Sequence, residues 1–347
     1  ADKWIKSDIL NVDDYIQEVI GLNPAFVVTD QCDVAIEPLA KINRALGHPA
    51  HDEAVINIFR DKFEMYRSAC NLGLPMPESR IAKTPAEIDA AVAAMGLPLI
   101  IKPVDSNASQ GCLFLQTPGA IDYDWAFSKS DRGAVVVQRL IAGRMFTVDG
   151  LLIDGKHYSL TLAERTCRDL GVIDRVDYTA DVPETLRAEA HRITDAYVNA
   201  SGADFGITHT EFLYDGNLYM METAIRGGGI GTSSHVVPHV SGIDPYQYMI
   251  AHFRGEKIAP PPTPLRRAAT IKLYEFPKGI VEHIHDEVIG TPKVALWKLW
   301  IKKGDRLGDV KNVKDLHAVA VVLGETQAEV NQTLETVQRR INVKIQT

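Results

Sequence analysis

Apolar positions recur at helical spacing from Asp13 to Ile20 and from about Ile36 to Leu46, and a longer helical pattern runs from about Asp52 to Asn71. Between the first two, Ala25-Phe26-Val27-Val28-Thr29 is a short apolar run that predicts a buried strand. Gly47 with Pro49 closes the second helix, and Gly73 with Pro75 and Pro77 closes the third. After a composition change at 74–79 the pattern predicts a helix over 85–94. Strands are predicted at 97–103, 112–116 and 134–138. Longer alternating strands follow at 146–152 and 157–163, then a helix at 184–200 and a hairpin over 207–224. A proline-rich connector, 260–264, precedes further strands, one of them at 318–323, and a closing helix from about Thr326 to Ile341.

Composition narrows the class. The 347 residues are 46% hydrophobic and 24% charged, ordinary values for a globular chain of two or three domains. A net charge of −8 excludes a wide basic surface for nucleic acid but allows a local cationic pocket. No apolar run of about 18 residues predicts a membrane span, and Ala1-Asp2-Lys3-Trp4-Ile5-Lys6 carries no signal core. The four cysteines, Cys32, Cys70, Cys112 and Cys167, form no CxxC pair. Buried free thiols in the cytoplasm are the expectation.

The hairpin carries the clearest chemistry. Side chains alternate along a strand, so His209 and Glu211 share a face. With a two-residue turn at Asp215-Gly216, His209 opposes Glu222; with a four-residue turn, Glu211 opposes Glu222. A three-residue turn without a bulge separates the acids. Two adjacent carboxylates repel unless a cation lies between them, and Mg²⁺ takes one or two carboxylates together with nucleotide phosphates. A solvated hairpin face with two unrelated glutamates is the other reading, and the hairpin alone leaves both open. Arg226, four residues on, precedes Gly227-Gly228-Gly229; an arginine there can stabilise developing negative charge. Lys102 ends an apolar strand before Pro103, where a lysine either enters a cleft or reaches solvent. The loop Asp105-Ser106-Asn107-Ala108-Ser109-Gln110-Gly111 offers hydroxyls and backbone N–H groups to phosphate, although it is not a Walker A loop. His235 and His239 have zinc-like spacing, but Pro238 argues against the helix they need.

In order along the chain, Arg60-Asp61-Lys62, Ile100-Ile101-Lys102-Pro103, the 106–111 loop, Val137-Gln138-Arg139-Leu140-Ile141, His209-Thr210-Glu211 and Glu222-Thr223-Ala224-Ile225-Arg226-Gly227-Gly228 resemble the ATP-grasp superfamily. The likeness is to its carboxylate–amine ligases of the L-amino-acid ligase and carbamoyl-phosphate-synthetase-like branch. The resemblance implies an α/β (α+β) chain with three parts. They are an N-terminal α/β unit with its linking helix, 1–75, a lid subdomain, 76–140, and a large antiparallel-sheet catalytic domain, 141–347, with a C-terminal subdomain from about 260. The N-terminal unit reads as truncated, with Ala1 entering partway through it.

The resemblance also implies roles. Lys62 and Lys102 contact ATP phosphates; Ser106, Ser109, Gln110 and Gly111 belong to a lid over the γ-phosphate; backbone at Gln138, Arg139 and Ile141 reads the adenine edge. Glu211 and Glu222 hold Mg²⁺, or Mn²⁺ in its place. Arg226 binds the acyl phosphate or the acid being activated, and His209 faces the same pocket. Three departures accompany it: Gln138 and Met145 stand where the family often has Glu, and Ala224 where it usually has Asn at a second metal. The implied activity is ATP-dependent joining of a small-molecule carboxylate to an amine, releasing ADP and phosphate, with a homodimer as a family-level expectation. A non-catalytic ATP-binding regulator, or a ligase with a thiol or carbamate acceptor, are the alternatives.

Overall fold

The computed structural model describes residues 3–106, 110–169, 172–179, 181–310 and 313–346. Two antiparallel sheets and their helices place the site, and a three-stranded sheet (Arg306–Leu307, Gly279–Asp286, Ile341–Gln346) lies apart from it.

The small sheet has the strand order Ser79–Ala82, Val135–Arg139, Leu99–Pro103, Leu113–Leu115. Helices Pro85–Met95 and Tyr123–Phe127 cover one face through Ile88, Leu99, Ile101, Val135 and Val137. The first of these helices opens on a capping box, Thr84 with Glu87. Because side chains alternate, Ile101 in this core sends Lys102 and its neighbours Val136 and Gln138 to the opposite face.

The large sheet has nine strands. Its order is Leu218–Ala224, Gly206–Tyr214, Arg144–Ile153, Ala163–Asp169, Val172–Tyr178, Ala268–Tyr274, Ala318–Gly324 and Val294–Leu299, with Lys156–Ser159 also paired to Arg144–Ile153. One face buries Phe146, Phe212 and Met220 against Phe59, Met65, Ile193 and Tyr197 of helices Glu53–Arg60, Lys62–Asn71 and Glu184–Asn199. The pairing of Thr147 with Glu211 and of Asp149 with His209 therefore puts these four residues on the other face.

Three expectations are corrected. Ala25–Thr29 is not a strand: among the described residues no strand pairs with it, and the backbone of Val27 is instead satisfied by the Asn43 carboxamide, at 3.1 Å to its N–H and 2.8 Å to its carbonyl. The pattern over 52–71 is two helices, not one. Asp61 between them is extended (φ −91°, ψ 111°), and its carboxylate accepts from the amides of Phe63 (2.9 Å) and Glu64 (3.0 Å) as an N-cap. The cysteines are free as expected, but Cys70 is exposed and the other three only half-buried.

Candidate active site

The Asp61 break does more than cap a helix. It places Lys62 at the first helical position, where its amide donates to the carbonyl of Val104 at 2.9 Å. The helix start is thus tied to the end of the strand that carries Lys102. Lys62 Nζ donates to the Ser106 carbonyl at 2.6 Å and lies 3.5 Å from Glu222 Oε1. Lys102 is 8% exposed. Burial first, and then the nearby Lys62 cation, push its pKa down against the opposing pull of Glu222, Cys112 and Glu211. Two lysines crowded into one cleft leave a positive field that an anion would relieve.

The hairpin meets them from the large sheet. Tyr214 pairs with Leu218, so the turn is the three residues Asp215, Gly216 and Asn217, a length expected to separate the acids. A β-bulge at Met221 restores the register, and Glu211 stands directly across from Glu222. His209 faces Ala224 rather than Glu222.

Behind Glu211 lies a charged network that only the fold assembles. Arg165 Nη1 is 2.8 Å from Glu211 Oε1, and His209 Nε2 is 3.8 Å from the same oxygen. His209 Nδ1 bonds Asp149 Oδ1 at 2.7 Å, while Asp149 Oδ2 accepts from Thr161 (2.9 Å) and Tyr178 (3.0 Å). Burial alone would push the Glu211 pKa up, but Arg165 and His209 hold it well below the usual carboxylate range. Burial likewise works against charge on His209, yet Asp149 and Glu211 raise its pKa overall. The signs fix a pH dependence. The raised His209 contributes stability in full below its ordinary value of 6.5 and loses it as pH rises through the folded value. The depressed Glu211 contributes in full above 4.5 and loses it on acidification. From these two groups, denaturant midpoints measured against pH are expected to be highest between 4.5 and 6.5 and to fall on both sides.

The other predicted residues are placed as follows. Gly111 adopts φ +76°, and a Cβ there would meet Pro103 Cγ at 2.7 Å, so the described end of the loop packs onto the strand. Gln110 has interactions of its own, and Ser109 lies outside the described residues. Gln138 is buried and donates to Ser79 Oγ at 2.9 Å. The Arg139 guanidinium turns to the carbonyls of Gly96 (2.9 Å) and Met95, and its amide donates to Glu78 at 2.8 Å. Gln138 Oε1 is buried without a hydrogen-bond partner among the described residues, and Ile141 is half-buried beside them. Met145 accepts from the Cys167 thiol. Arg226 is gripped by Asp33 through two bonds, Nε–Oδ1 at 2.9 Å and Nη2–Oδ2 at 2.7 Å, and donates to the Gly227 carbonyl at 2.9 Å. Gly227 allows close approach to the chain itself: a Cβ would sit 2.0 Å from Ser233 Oγ and 2.5 Å from Asp30 Oδ1.

The donor set suits a hard cation that keeps most of its ligands from elsewhere. Glu211 and Glu222 each retain 30% exposure and stand opposite one another. Among the described residues no group of three or more His, Cys, Asp or Glu forms a complete cage, and His239 is bonded to the Gly324 carbonyl at 2.9 Å. Two carboxylates beside two lysines fit Mg²⁺ shared with phosphate oxygens better than a closed zinc site.

Sequence reasoning passes over Asp149 and reads 164–180, with Arg165, as a loop that either sets acceptor specificity or is a solvated surface. Arg165 instead lies on the strand Ala163–Asp169, with its side chain only 12% exposed. A signal existed. In the run 145–153, Asp149 is the one charged residue, and 146–153 is buried throughout.

No family model matches the chain. Over 78 residues it is 36% identical to the formate-dependent phosphoribosylglycinamide formyltransferase of Nitratidesulfovibrio vulgaris (strain DP4), covering 21% of this chain and 20% of that one. Over 76 residues it is 34% identical to the D-alanine–D-alanine ligase of Chromohalobacter salexigens, 22% of this chain and 24% of that one. The matched part is thus a fifth to a quarter of these relatives' length. Among solved structures, the L-amino acid ligase from Bacillus licheniformis superposes with a TM-score of 0.78 at 18% identity, over 98% of this chain and 86% of that one. The chain has the ATP-grasp fold.

Proposed function

We propose that this protein is an ATP-dependent carboxylate–amine ligase. The observation that carries it is the bulge at Met221, which sets Glu211 opposite Glu222 with Lys62 at 3.5 Å and buried Lys102 alongside. Mg²⁺ held by Glu211 and Glu222 would neutralise triphosphate oxygens when bound. A carboxylate oxygen of the acid attacks the γ-phosphorus; the bond to the β-phosphate oxygen breaks, ADP leaves and an acyl phosphate remains. The amine then attacks the acyl carbon, the C–O bond to phosphate breaks, and the nitrogen gives up its proton to solvent. Lys62 and Lys102 offset the charge gathered when two anions meet, and Arg226, fixed by Asp33, orients the carboxylate. The ligase names among the similar proteins support the same reaction type. Free cysteines suit a reducing cytoplasm as the place of the reaction.

The test is ADP release across a panel of acids and amines with MgATP. Release that requires an acid and is completed by an amine is the expected result. Tight MgATP binding with no consumption by any pair would favour a regulatory nucleotide-binding protein instead.

A further inference from the structure

A cavity of about 310 Å³ has Arg226 in its wall. It falls at the lower edge of the roughly 300–1,000 Å³ range of small-molecule sites. Its walls include Phe26, Val28, Ile36, Phe205, Ile250 and Phe253. On one flank two rings of the wall, His51 and Phe205, stack at 4.3 Å, and His252, outside the lining, stacks on Phe205 at 4.4 Å. Burial pushes His51 down to about 4, so this flank is uncharged at neutral pH. Val28 and Ile250, 53% and 37% exposed, leave apolar surface at the rim. Against this apolar lining Arg226 and Asp30 stand out. Three of the five N–H groups of Arg226 are engaged by Asp33 and Gly227, which hold its plane while others remain for a ligand.

We propose that this cavity receives the side chain of the acid to be activated, and that the acid therefore carries a bulky apolar group, aromatic or branched aliphatic, with its carboxylate at Arg226. This inference rests on the ligase function proposed above and narrows its substrate class. Arg226 lies within electrostatic reach of both Glu222 and Glu211, so an acid gripped there has its carboxylate near the acidic pair while its hydrocarbon end leaves water. Asp30 at the same wall would suit an amino group on that acid.

The test separates acid binding from nucleotide chemistry. Calorimetry on the full chain uses phenylalanine and its desamino analogue 3-phenylpropionate against glycine and acetate, with a non-hydrolysable MgATP analogue titrated separately. The phenyl member of at least one pair is expected to bind tenfold or more tighter than its small counterpart. Ile250→Asp and Val28→Asp, both at the exposed rim, are expected to weaken that binding at least tenfold and leave the MgATP-analogue affinity unchanged. Equal binding of phenyl and small acids, or ADP release driven by small polar acids alone, overturns the inference while the ligase function stands. Self-association that Ile250→Asp abolishes, without acid binding, would assign the face to a second copy of the chain and also overturn it. Phenyl-acid binding in a protein that never binds MgATP removes the ligase function itself.

Discussion

Glu222→Gln is expected to lower acid-dependent ADP release at least about a hundredfold, the lower end of what removing one preorganised charge-stabilising group costs. The carboxamide keeps the shape and one neutral acceptor but removes the charge that faces Glu211 across the bulged pair. Lys62, 3.5 Å away, loses its acidic neighbour, so the cleft becomes more positive and nucleotide can still bind. In the proposed site the divalent ion would lose one of its two protein ligands. Half-saturation with Mg²⁺ should therefore move to higher concentration while affinity for metal-free nucleotide holds or improves. The fold should survive, because the carboxamide keeps the side chain's volume at a position 30% exposed and ends the repulsion from Glu211 across the pair. Measuring turnover, Mg²⁺ dependence and the urea midpoint on one preparation separates these effects. Turnover within about tenfold of the parent, about 1.4 kcal/mol of barrier, with unchanged Mg²⁺ dependence would remove Glu222 from the metal site.

The helical elements were legible because their signal is local. The 3.6-residue period and the Gly73 stop signal are read within a single turn or two. The strand expected at Ala25–Thr29 shows the limit of that logic. An apolar run says what would be buried, but a strand exists only if another strand pairs with it; here a side-chain amide from the helix Ile36–Leu46 does so instead. The hairpin shows a subtler limit. Alternation put Glu211 and His209 on one face, yet whether Glu222 joined them depended on a single extra residue at Met221, and nothing in that residue's identity announces a bulge. The break at Asp61 was written in the sequence as an acid two and three residues before the amides it caps, but it was masked by an unbroken helical period. The Asp149–His209–Arg165–Glu211 network and the cavity at Arg226 join residues tens to nearly two hundred positions apart, and such contacts have no local signature.

Asp149→Ala is expected to cost about 3–5 kcal/mol of folding stability, the range for removing one partner of a buried charged group. Asp149 is 1% exposed and its two oxygens serve three donors: His209 Nδ1, the Thr161 hydroxyl and the Tyr178 hydroxyl. Alanine leaves all three without their acceptor, and each unsatisfied buried donor costs roughly 1–3 kcal/mol before relaxation. Water that enters the vacated space could recover part of this, which is why the expected loss is below the sum. Asp149→Asn should cost less, since one carbonyl oxygen remains to accept, but it removes the charge that raises the His209 pKa. The two variants therefore differ in a way that a packing defect would not. In the parent, stability falls as pH climbs through the folded pKa of His209; in Asp149→Asn that slope should flatten, because the histidine then titrates nearer its unfolded value. Denaturant unfolding of parent, Ala and Asn forms at several pH values reads both effects. A loss under about 1 kcal/mol for the alanine form, no larger than the average point mutation, together with an unchanged pH slope in the asparagine form, would mean that the network does not hold Glu211 in place.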